Sequence, residues 1–166
     1  MNKINVPLSN KKICNALGVA EDDVLLYKDL HKFDTVEDLI LKYPFRIILI
    51  ETKHNSGHWV SLLKDGDDYI FFDSYGYAPD FELNLIPRFM RLLLGEDHRE
   101  ITRLCRGKKI IHNKIKFQSE KSSTCGRYNI LWIEMWKMGY SLAQFQDFLK
   151  KHKKTTYDAL VCDLVK

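Results

Sequence analysis

The pattern of apolar and polar positions changes twice along the chain, from helical to strand-like and back to helical. In the first forty residues, one helical pattern begins at the N-cap candidate Ser9 and stops at Gly18, and a second is capped by Thr35. Short apolar runs typical of strands follow at residues 46–50, 58–63 and 69–73. Turn residues at 65–68 separate the last two runs, so the sequence predicts an antiparallel hairpin there.

The second half of the chain is again helical, apart from a loosely alternating segment at 108–118 that indicates a further strand. Helical periodicity is found at residues 83–94, 125–138, 141–151 and 155–164. The segment 125–138 is the strongest of these, because aromatic and aliphatic side chains share one face. The order of helices, strands and helices predicts an α+β fold, with a small mixed or antiparallel central sheet flanked by helices.

Length and composition limit the classes of protein that this sequence fits. The 166 residues contain no Gly/Ser/Pro-rich linker, so we expect a single domain over residues 1–166. A hydrophobic fraction of 45% is enough for a folded core and excludes a disordered chain. No apolar run approaches the roughly 20 residues of a membrane span, and the first residues lack a secretory signal. We therefore expect a protein that is not secreted and has no membrane partner.

The four cysteines do not form a recognisable disulfide or zinc pattern, because none belongs to a CxxC pair and their spacing is irregular. We therefore expect reduced thiols and no metal site. Cys14 and Cys162 fall at apolar helix positions and are predicted to lie in the core. Cys105 lies between Arg103 and Arg106, cations that would favour a thiolate.

Cys125 has the sequence context of a nucleophile, because it stands where a polar loop becomes the most apolar helix. The free N–H groups at a helix N-terminus stabilise a thiolate and lower the pKa of the thiol. Gly126, directly after it, would leave room for a substrate backbone. The alternative is that Cys125 is a small buried hydrophobic residue at a helix start.

A cysteine nucleophile needs a base, and the predicted hairpin supplies one. His58 begins one strand and Asp73 ends the next, so hairpin geometry makes them neighbours. The alternative is a surface histidine that pairs with an aspartate at a strand end. Gln118, seven residues before Cys125, could contribute an amide donor for an oxyanion, together with the Cys125 N–H, although a solvated loop residue is the other interpretation.

The ordered set His58-Trp59, Asp73, Gln118 and Cys125-Gly126 resembles the adenovirus-type maturation proteases and the related SUMO-specific proteases. Papain-like enzymes have the cysteine first and are disfavoured by this order. The resemblance covers about residues 46–150. It implies an adenain-like or SUMO-protease-like fold with the nucleophile at the N-terminus of a long buried helix.

By this resemblance, His58 is the general base, Asp73 orients it, Cys125 is the nucleophile and Gln118 lines the oxyanion hole. Trp59 would wall a narrow cleft for small, Gly-containing substrate segments, and Gly126 would also contact the substrate. Asp at position 73 is usual in SUMO proteases, whereas the spacing of Gln and Cys and the short chain are more adenoviral. Such proteases occur in adenoviruses, virophages, Polinton-type elements and large DNA viruses, and we place the chain nearest the virophage or giant-virus type.

The adenoviral relatives are stimulated by DNA and by a short peptide bonded to an upstream cysteine. Residues 99–121 carry eight basic and two acidic side chains, a concentrated charge that could bind DNA non-specifically. The DNA-binding candidates are Arg103, Arg106, Lys108, Lys109, Lys114 and Lys116. Cys105 falls near the peptide-linked position and is a candidate regulatory thiol. The alternative is that the basic residues form an ordinary solvated loop.

Three functions follow from these observations. The leading hypothesis is a cysteine endopeptidase that cleaves capsid or other virion precursors, acts as a monomer in the virion and in the host cytoplasm or nucleus, and needs no cofactor for its chemistry. The second is removal of ubiquitin or a ubiquitin-like protein from conjugates. The third is a non-enzymatic, basic nucleic-acid-binding protein, which ranks below the others because no nucleic-acid module is recognisable.

Overall fold

The computed structural model describes residues 2–54 and 56–166, and within them five strands form one mixed sheet. The strands are β1 (Leu25–Leu26), β2 (Phe45–Lys53), β3 (Ser56–Asp65), β4 (Asp68–Phe72) and β5 (Ile110–His112). They lie in the order β1-β2-β3-β4-β5; the central β2–β3 and β3–β4 pairs are antiparallel, and the two outer pairs are parallel. The predicted hairpin is thus present as β3–β4, and the further strand is β5.

The helices cover both faces of this sheet. They are α1 (Asn10–Leu17), α2 (Val36–Leu39), α3 (Arg88–Leu94), α4 (Glu100–Leu104), α5 (Cys125–Lys137), α6 (Leu142–His152) and α7 (Tyr157–Leu164). Short 3-10 helices occupy Lys3–Asn5, Glu21–Asp23, Tyr27–Lys32 and Phe81–Leu85. The predicted caps are present: the Ser9 hydroxyl accepts from the Lys12 N–H and Gly18 ends α1 at a φ of 69°. The α+β class predicted from the sequence is confirmed.

Two apolar cores lie on opposite faces of the sheet, which explains why the β2 sequence is a continuous apolar run. Ile47 and Leu49 face one core, which also contains buried side chains of α1, α5, α6 and α7. Ile48 and Ile50 face the other, against α2, α4 and the 3-10 helix Tyr27–Lys32. Side chains alternate between the two faces along a strand. When both faces are covered by apolar cores, successive positions are apolar and the alternation of polar and apolar residues is lost.

Helix α5 is held in the first core by its aromatic side chains. Trp132 is fully buried, and its ring lies 6.2 Å from Phe72 of β4 and 5.3 Å from Phe145 of α6. Nearer its N-terminus, Asn129 donates a hydrogen bond to the Trp59 carbonyl at 2.9 Å and so connects α5 to β3. This packing fixes the N-terminus of α5 beside the start of β3.

The prediction of one continuous helix over residues 83–94 is wrong. The chain forms the 3-10 helix Phe81–Leu85, and α3 begins only after Pro87, its N-cap. Proline has no N–H to donate and its ring clashes with the preceding turn, so a helix cannot continue through it. The break turns Phe89 and Leu93 outward, and they are 64% and 78% exposed. The structure has no helix long and apolar enough to cross a membrane among residues 2–54 and 56–166.

Candidate active site

His58 and Asp73 lie together at the end of the β3–β4 hairpin. The pairing of β3 with β4 ends at Ser61 and Phe72. His58 and Asp73 both lie beyond this last pair, toward the open end of the hairpin. The Nε2 of His58 is 2.8 Å from Oδ1 of Asp73, and both side chains are buried. The hairpin geometry thus brings this pair together as the strand pattern predicted.

Cys125 is the first residue of α5, and its thiol lies beside the His58 imidazole and interacts with it electrostatically. Because Nε2 faces Asp73, the other ring nitrogen, Nδ1, is left for the thiol. The backbone N–H groups of Trp59 and Gly126 also help to lower the pKa of the thiol. The three candidate residues therefore lie side by side in the order Cys125, His58, Asp73.

The electrostatic environment of Cys125 and His58 favours an ion pair between the two side chains. Burial by itself raises the pKa of Cys125, but the hydrogen bond and charge of His58 outweigh it and hold the pKa below its usual value. Burial by itself lowers the pKa of His58, but hydrogen bonds to Asp73 and Cys125 raise it well above the usual value. At neutral pH the arrangement therefore suits a thiolate beside an imidazolium.

The loop that leads into Cys125, residues 119–124, is called the nucleophile loop below. It is anchored by Asp158 of α7, a residue that the sequence did not single out. Its carboxylate accepts hydrogen bonds from the Thr124 hydroxyl at 2.6 Å, the Ser119 N–H at 3.0 Å and the Tyr128 hydroxyl at 3.2 Å. The side chain of Thr124, the N-cap residue of α5, is engaged by Asp158 instead of capping the helix. The first N–H groups of α5 are consequently left to act on the sulfur.

Gln118 is held rigidly at the edge of the same site. Its Oε1 accepts from the Ser74 hydroxyl at 2.6 Å, and its Nε2 donates to the Ser122 carbonyl at 3.1 Å. An amide nitrogen carries two N–H donors, so one remains for a ligand. Gln118 is a buried, oriented residue rather than a solvated loop residue.

A cleft of about 590 Å³ opens over Cys125. Its walls are mostly apolar or aromatic, and they include Trp59, Tyr75, Tyr77, Leu85 and Ile86. The Tyr75 ring stacks on His58 at 4.5 Å. Gln118, Trp59 and Gly126 all line this cleft, where the sequence placed them.

Gly126 has a second role that the sequence did not indicate. A Cβ at this position would lie 3.1 Å from Cδ1 of Ile13 and 3.6 Å from Cβ of Leu8. The missing side chain therefore allows α1 and the residue before it, Leu8, to pack closely against α5.

Glu82 is a further residue of the site to which the sequence did not point. It lies in the 3-10 helix Phe81–Leu85, is 7% exposed, and places Oε1 3.2 Å from Nε2 of His58. Burial, together with Asp73, raises the pKa of Glu82 to about 9. An acidic residue in a segment with helical periodicity is normally solvated, so no local pattern points to it.

The surroundings of Cys105 do not favour the reactive thiol that its flanking cations suggested. Its side chain is 4% exposed and packs in the second core at the end of α4. Burial and the nearby Asp80 and Glu37 raise the pKa of this thiol to about 12. Arg103, one of the two flanking cations, binds Glu100 and the carbonyls of Leu30 and Phe33. Cys14 and Cys162 are buried, as predicted.

The basic segment is also less free than its composition suggested. Lys108 pairs with Glu37, Lys109 with Asp68 at 3.4 Å, and Lys116 with Glu120, while Arg103 is engaged as described above. Of the six DNA-binding candidates, Arg106 and Lys114 form no ion pair with the described residues. Two acids from elsewhere in the fold, Glu37 and Asp68, thus neutralise part of the charge of a stretch that is strongly positive in sequence.

One cluster among the described residues has metal-ligand atoms close together: His58, Asp73 and Glu82, whose nearest such atoms all lie within 4.8 Å. Nε2 of His58 is hydrogen-bonded to Asp73, and the raised pKa of His58 favours the protonated ring. A protonated nitrogen has no lone pair for a metal. We therefore interpret this cluster as a hydrogen-bonded network.

Comparison with solved structures identifies the class of fold. Two crystal structures of the ASFV pS273R protease, one with selenomethionine, superpose with TM-scores of 0.53 and 0.52. They cover all of this chain and 70% and 71% of the protease, at 13% and 15% sequence identity. At this identity the likeness establishes a shared fold, that of a viral protease.

Comparison of sequences identifies the family. The chain is 33% identical over 162 residues to "Uncharacterized protein V9" of Sputnik virophage, across 94% of this chain and 92% of V9. The chain belongs to the same family as V9. No family model matches it.

Proposed function

We propose that this protein is a cysteine endopeptidase of the adenain-like type. The observation that carries the proposal is the arrangement of Cys125, His58 and Asp73 side by side at an open cleft, with His58 hydrogen-bonded to Asp73. The lowered pKa of Cys125 provides a nucleophile at neutral pH, and the raised pKa of His58 provides an acid beside it. Nucleophile, proton donor and orienting carboxylate are the groups that acyl transfer requires.

The reaction runs in two halves. In the first, the Cys125 thiolate attacks the peptide carbonyl, and the resulting oxyanion is stabilised by the Cys125 N–H and the second N–H of Gln118. The His58 imidazolium gives its proton to the departing amine, the C–N bond breaks and a thioester remains. In the second half, His58 takes a proton from water, the hydroxide attacks the thioester, and the carboxylic acid leaves as the thiol regains its charge and His58 its proton.

The proposed substrates are capsid or other virion precursor proteins. The kinship with a virophage protein and the shared fold with a viral protease both support this substrate class. Trp59 lines the cleft beside Cys125, and we propose that it favours small residues near the scissile bond. We further propose that the enzyme acts as a monomer in the virion and in the infected host cell.

The test is incubation of the purified protein with the capsid precursor of its own virus. Cleavage at discrete sites is expected from the wild type, and the Cys125→Ala variant should leave the precursor intact. Cys14→Ala is the matched control, because it removes a buried thiol remote from the cleft. Equal cleavage by the Cys125→Ala variant would refute the proposal.

Asp73 supports a second substrate class, because aspartate at this position is usual in the SUMO-specific proteases. Fluorogenic ubiquitin, SUMO and NEDD8 substrates distinguish the two classes. Strong turnover of one modifier, without cleavage of the capsid precursor, would favour deconjugation. A non-enzymatic role in nucleic-acid binding predicts no hydrolysis of any peptide and DNA binding that survives alkylation of Cys125.

Activation by DNA is a separate proposal, which rests on the two unpaired cations Arg106 and Lys114. The Arg106→Ala/Lys114→Ala double variant should weaken DNA binding more than Lys108→Ala, whose lysine is held by Glu37. Fluorescence anisotropy at two salt concentrations measures the difference. A peptide activator linked through Cys105 is not part of the proposal, since this thiol is buried.

A further inference from the structure

Glu82 shares one buried space with the His58–Asp73 pair. The ligand-type atoms of the three residues lie within 4.8 Å of one another, and all three side chains are buried. Glu82 reaches this space from the 3-10 helix Phe81–Leu85, after the chain has left the sheet. No step of the reaction described above uses it.

The charges in this space do not balance if both carboxyl groups are ionised. Glu82 is faced by the His58 imidazole of β3, by Asp73 after β4 and by the Cys125 thiol of α5. The Tyr75 hydroxyl is also within electrostatic range. No lysine or arginine among the described residues forms an ion pair with Glu82. Two carboxylates and a thiolate would then oppose a single imidazolium, and close buried carboxyl groups avoid this by retaining a proton.

The hydrogen-bond inventory points the same way. Oδ2 of Asp73 and Oε1 of Glu82 are both buried without a hydrogen-bond partner when each group is treated as a carboxylate. Buried acceptors without a donor are costly and rare. A proton held by one of the two groups makes it a donor to the other. Asp73 already accepts from His58 and from the Tyr75 N–H, so it is the group that stays ionised.

We propose that Glu82 is a neutral carboxylic acid that donates a hydrogen bond to Asp73 and so positions the Asp73–His58 pair behind the nucleophile. Glu82 is a positioning residue, since it acts on the sulfur only through Asp73 and His58. This proposal deepens the proposed function and rests on it for the roles of Cys125, His58 and Asp73. Burial supports it, because it raises the pKa of Glu82 to about 9.

The protonation state is tested directly by infrared difference spectroscopy at neutral pH. The spectrum of the wild type minus that of the Glu82→Gln variant should contain the C=O stretch of a protonated carboxyl group. Glu120→Gln is the matched control, because Glu120 also lines the cleft but its salt bridge with Lys116 lowers its pKa. Its difference spectrum should show only a lost carboxylate. If the difference spectrum for Glu82→Gln showed the loss of a carboxylate band instead, the proposal would be overturned.

The positioning role is tested by the rate at which iodoacetamide alkylates Cys125 across pH, with Cys125→Ala to correct for other thiols. Glu82→Leu removes the donor to Asp73 and should slow alkylation at neutral pH about tenfold. Glu82→Gln, which keeps an N–H donor, should recover most of this loss. The wild-type profile should also contain an inflection near pH 9 that the Glu82→Gln variant lacks.

Two results would contradict this role. One is a Glu82→Leu profile identical to that of the wild type. The other is a Glu82→Gln alkylation profile that is shifted along the pH axis relative to the wild type. Such a shift would mean that the substitution removed a negative charge that Glu82 carries at neutral pH. If Glu82→Leu fails to fold, the infrared measurement and the Glu82→Gln profile still decide the question. Neither readout requires peptide hydrolysis, so a failure of the proposed protease function is recognised separately.

Discussion

The Asn113 side chain satisfies both backbone polar groups of Asp73. Its Oδ1 accepts from the Asp73 N–H at 3.1 Å, and its Nδ2 donates to the Asp73 carbonyl at 2.8 Å. Asn113 is fully buried and directly follows β5, which pairs with β4. The parallel pairing of these two strands therefore holds the carboxylate that orients His58.

We expect Asn113→Ala to damage both stability and catalysis. Losing this clamp leaves the buried Asp73 N–H unpaired, while the Asp73 carbonyl keeps its hydrogen bond from the Gly76 N–H. The unpaired group should lower the free energy of unfolding by about 2 kcal/mol. Turnover should fall about tenfold as Asp73 loses its alignment. Urea denaturation and peptide hydrolysis measure the two effects, with exposed Asn84→Ala as the control. Wild-type turnover in a destabilised Asn113→Ala protein would show that Asp73 does not depend on this support.

Cys125 should be alkylated at a lower pH than an ordinary thiol. Because its pKa lies below the usual thiol value, thiolate remains as the pH falls below that value, and iodoacetamide should still alkylate it there. The other three thiols should be unreactive there, since burial raises their pKa values. His58→Ala removes the largest opposing effect and should move alkylation of Cys125 to higher pH. Peptide mapping after alkylation identifies the labelled cysteine, and equal labelling of Cys125 in both proteins at acid pH would contradict the ion pair.

Gln118→Ala should separate oxyanion stabilisation from nucleophile activation. Removing one oxyanion donor typically costs a factor of about 10²–10³ in kcat, while alkylation of Cys125 needs no oxyanion and should keep its rate. Gln146→Ala on α6 is the matched control. Parallel loss of hydrolysis and alkylation would mean that Gln118 supports the nucleophile loop rather than the oxyanion.

Gly57 allows the strand that carries His58 to pass close to its neighbour. A Cβ at this position would lie 1.9 Å from the Ile50 carbonyl oxygen, so β2 and β3 would have to separate. We expect Gly57→Ala to lower the free energy of unfolding by about 3 kcal/mol. The neighbouring exposed Ser56→Ala should have little effect, and thermal unfolding compares the two. A fully stable Gly57→Ala protein would require a backbone arrangement different from this one.

The sequence predicted the parts of the site that follow from local periodicity. His58 and Asp73 are placed by a hairpin whose strands and turn are visible as apolar runs around polar residues. Cys125 is placed by the helical periodicity of α5. In both cases the element determines the position of the residue, and the pattern of the element is local.

Tertiary structure alone decided which polar side chains are buried around that site. Glu82, Asn113 and Asp158 are polar residues that no local pattern marks as buried, and their partners come from other segments of the chain. The same holds for Cys105, whose flanking cations suggested a reactive thiol until the packing of α4 showed it to be buried. Hydrophobic periodicity reports which face of an element is covered, whereas the protonation and partners of a polar group depend on long-range contacts that only the folded chain creates.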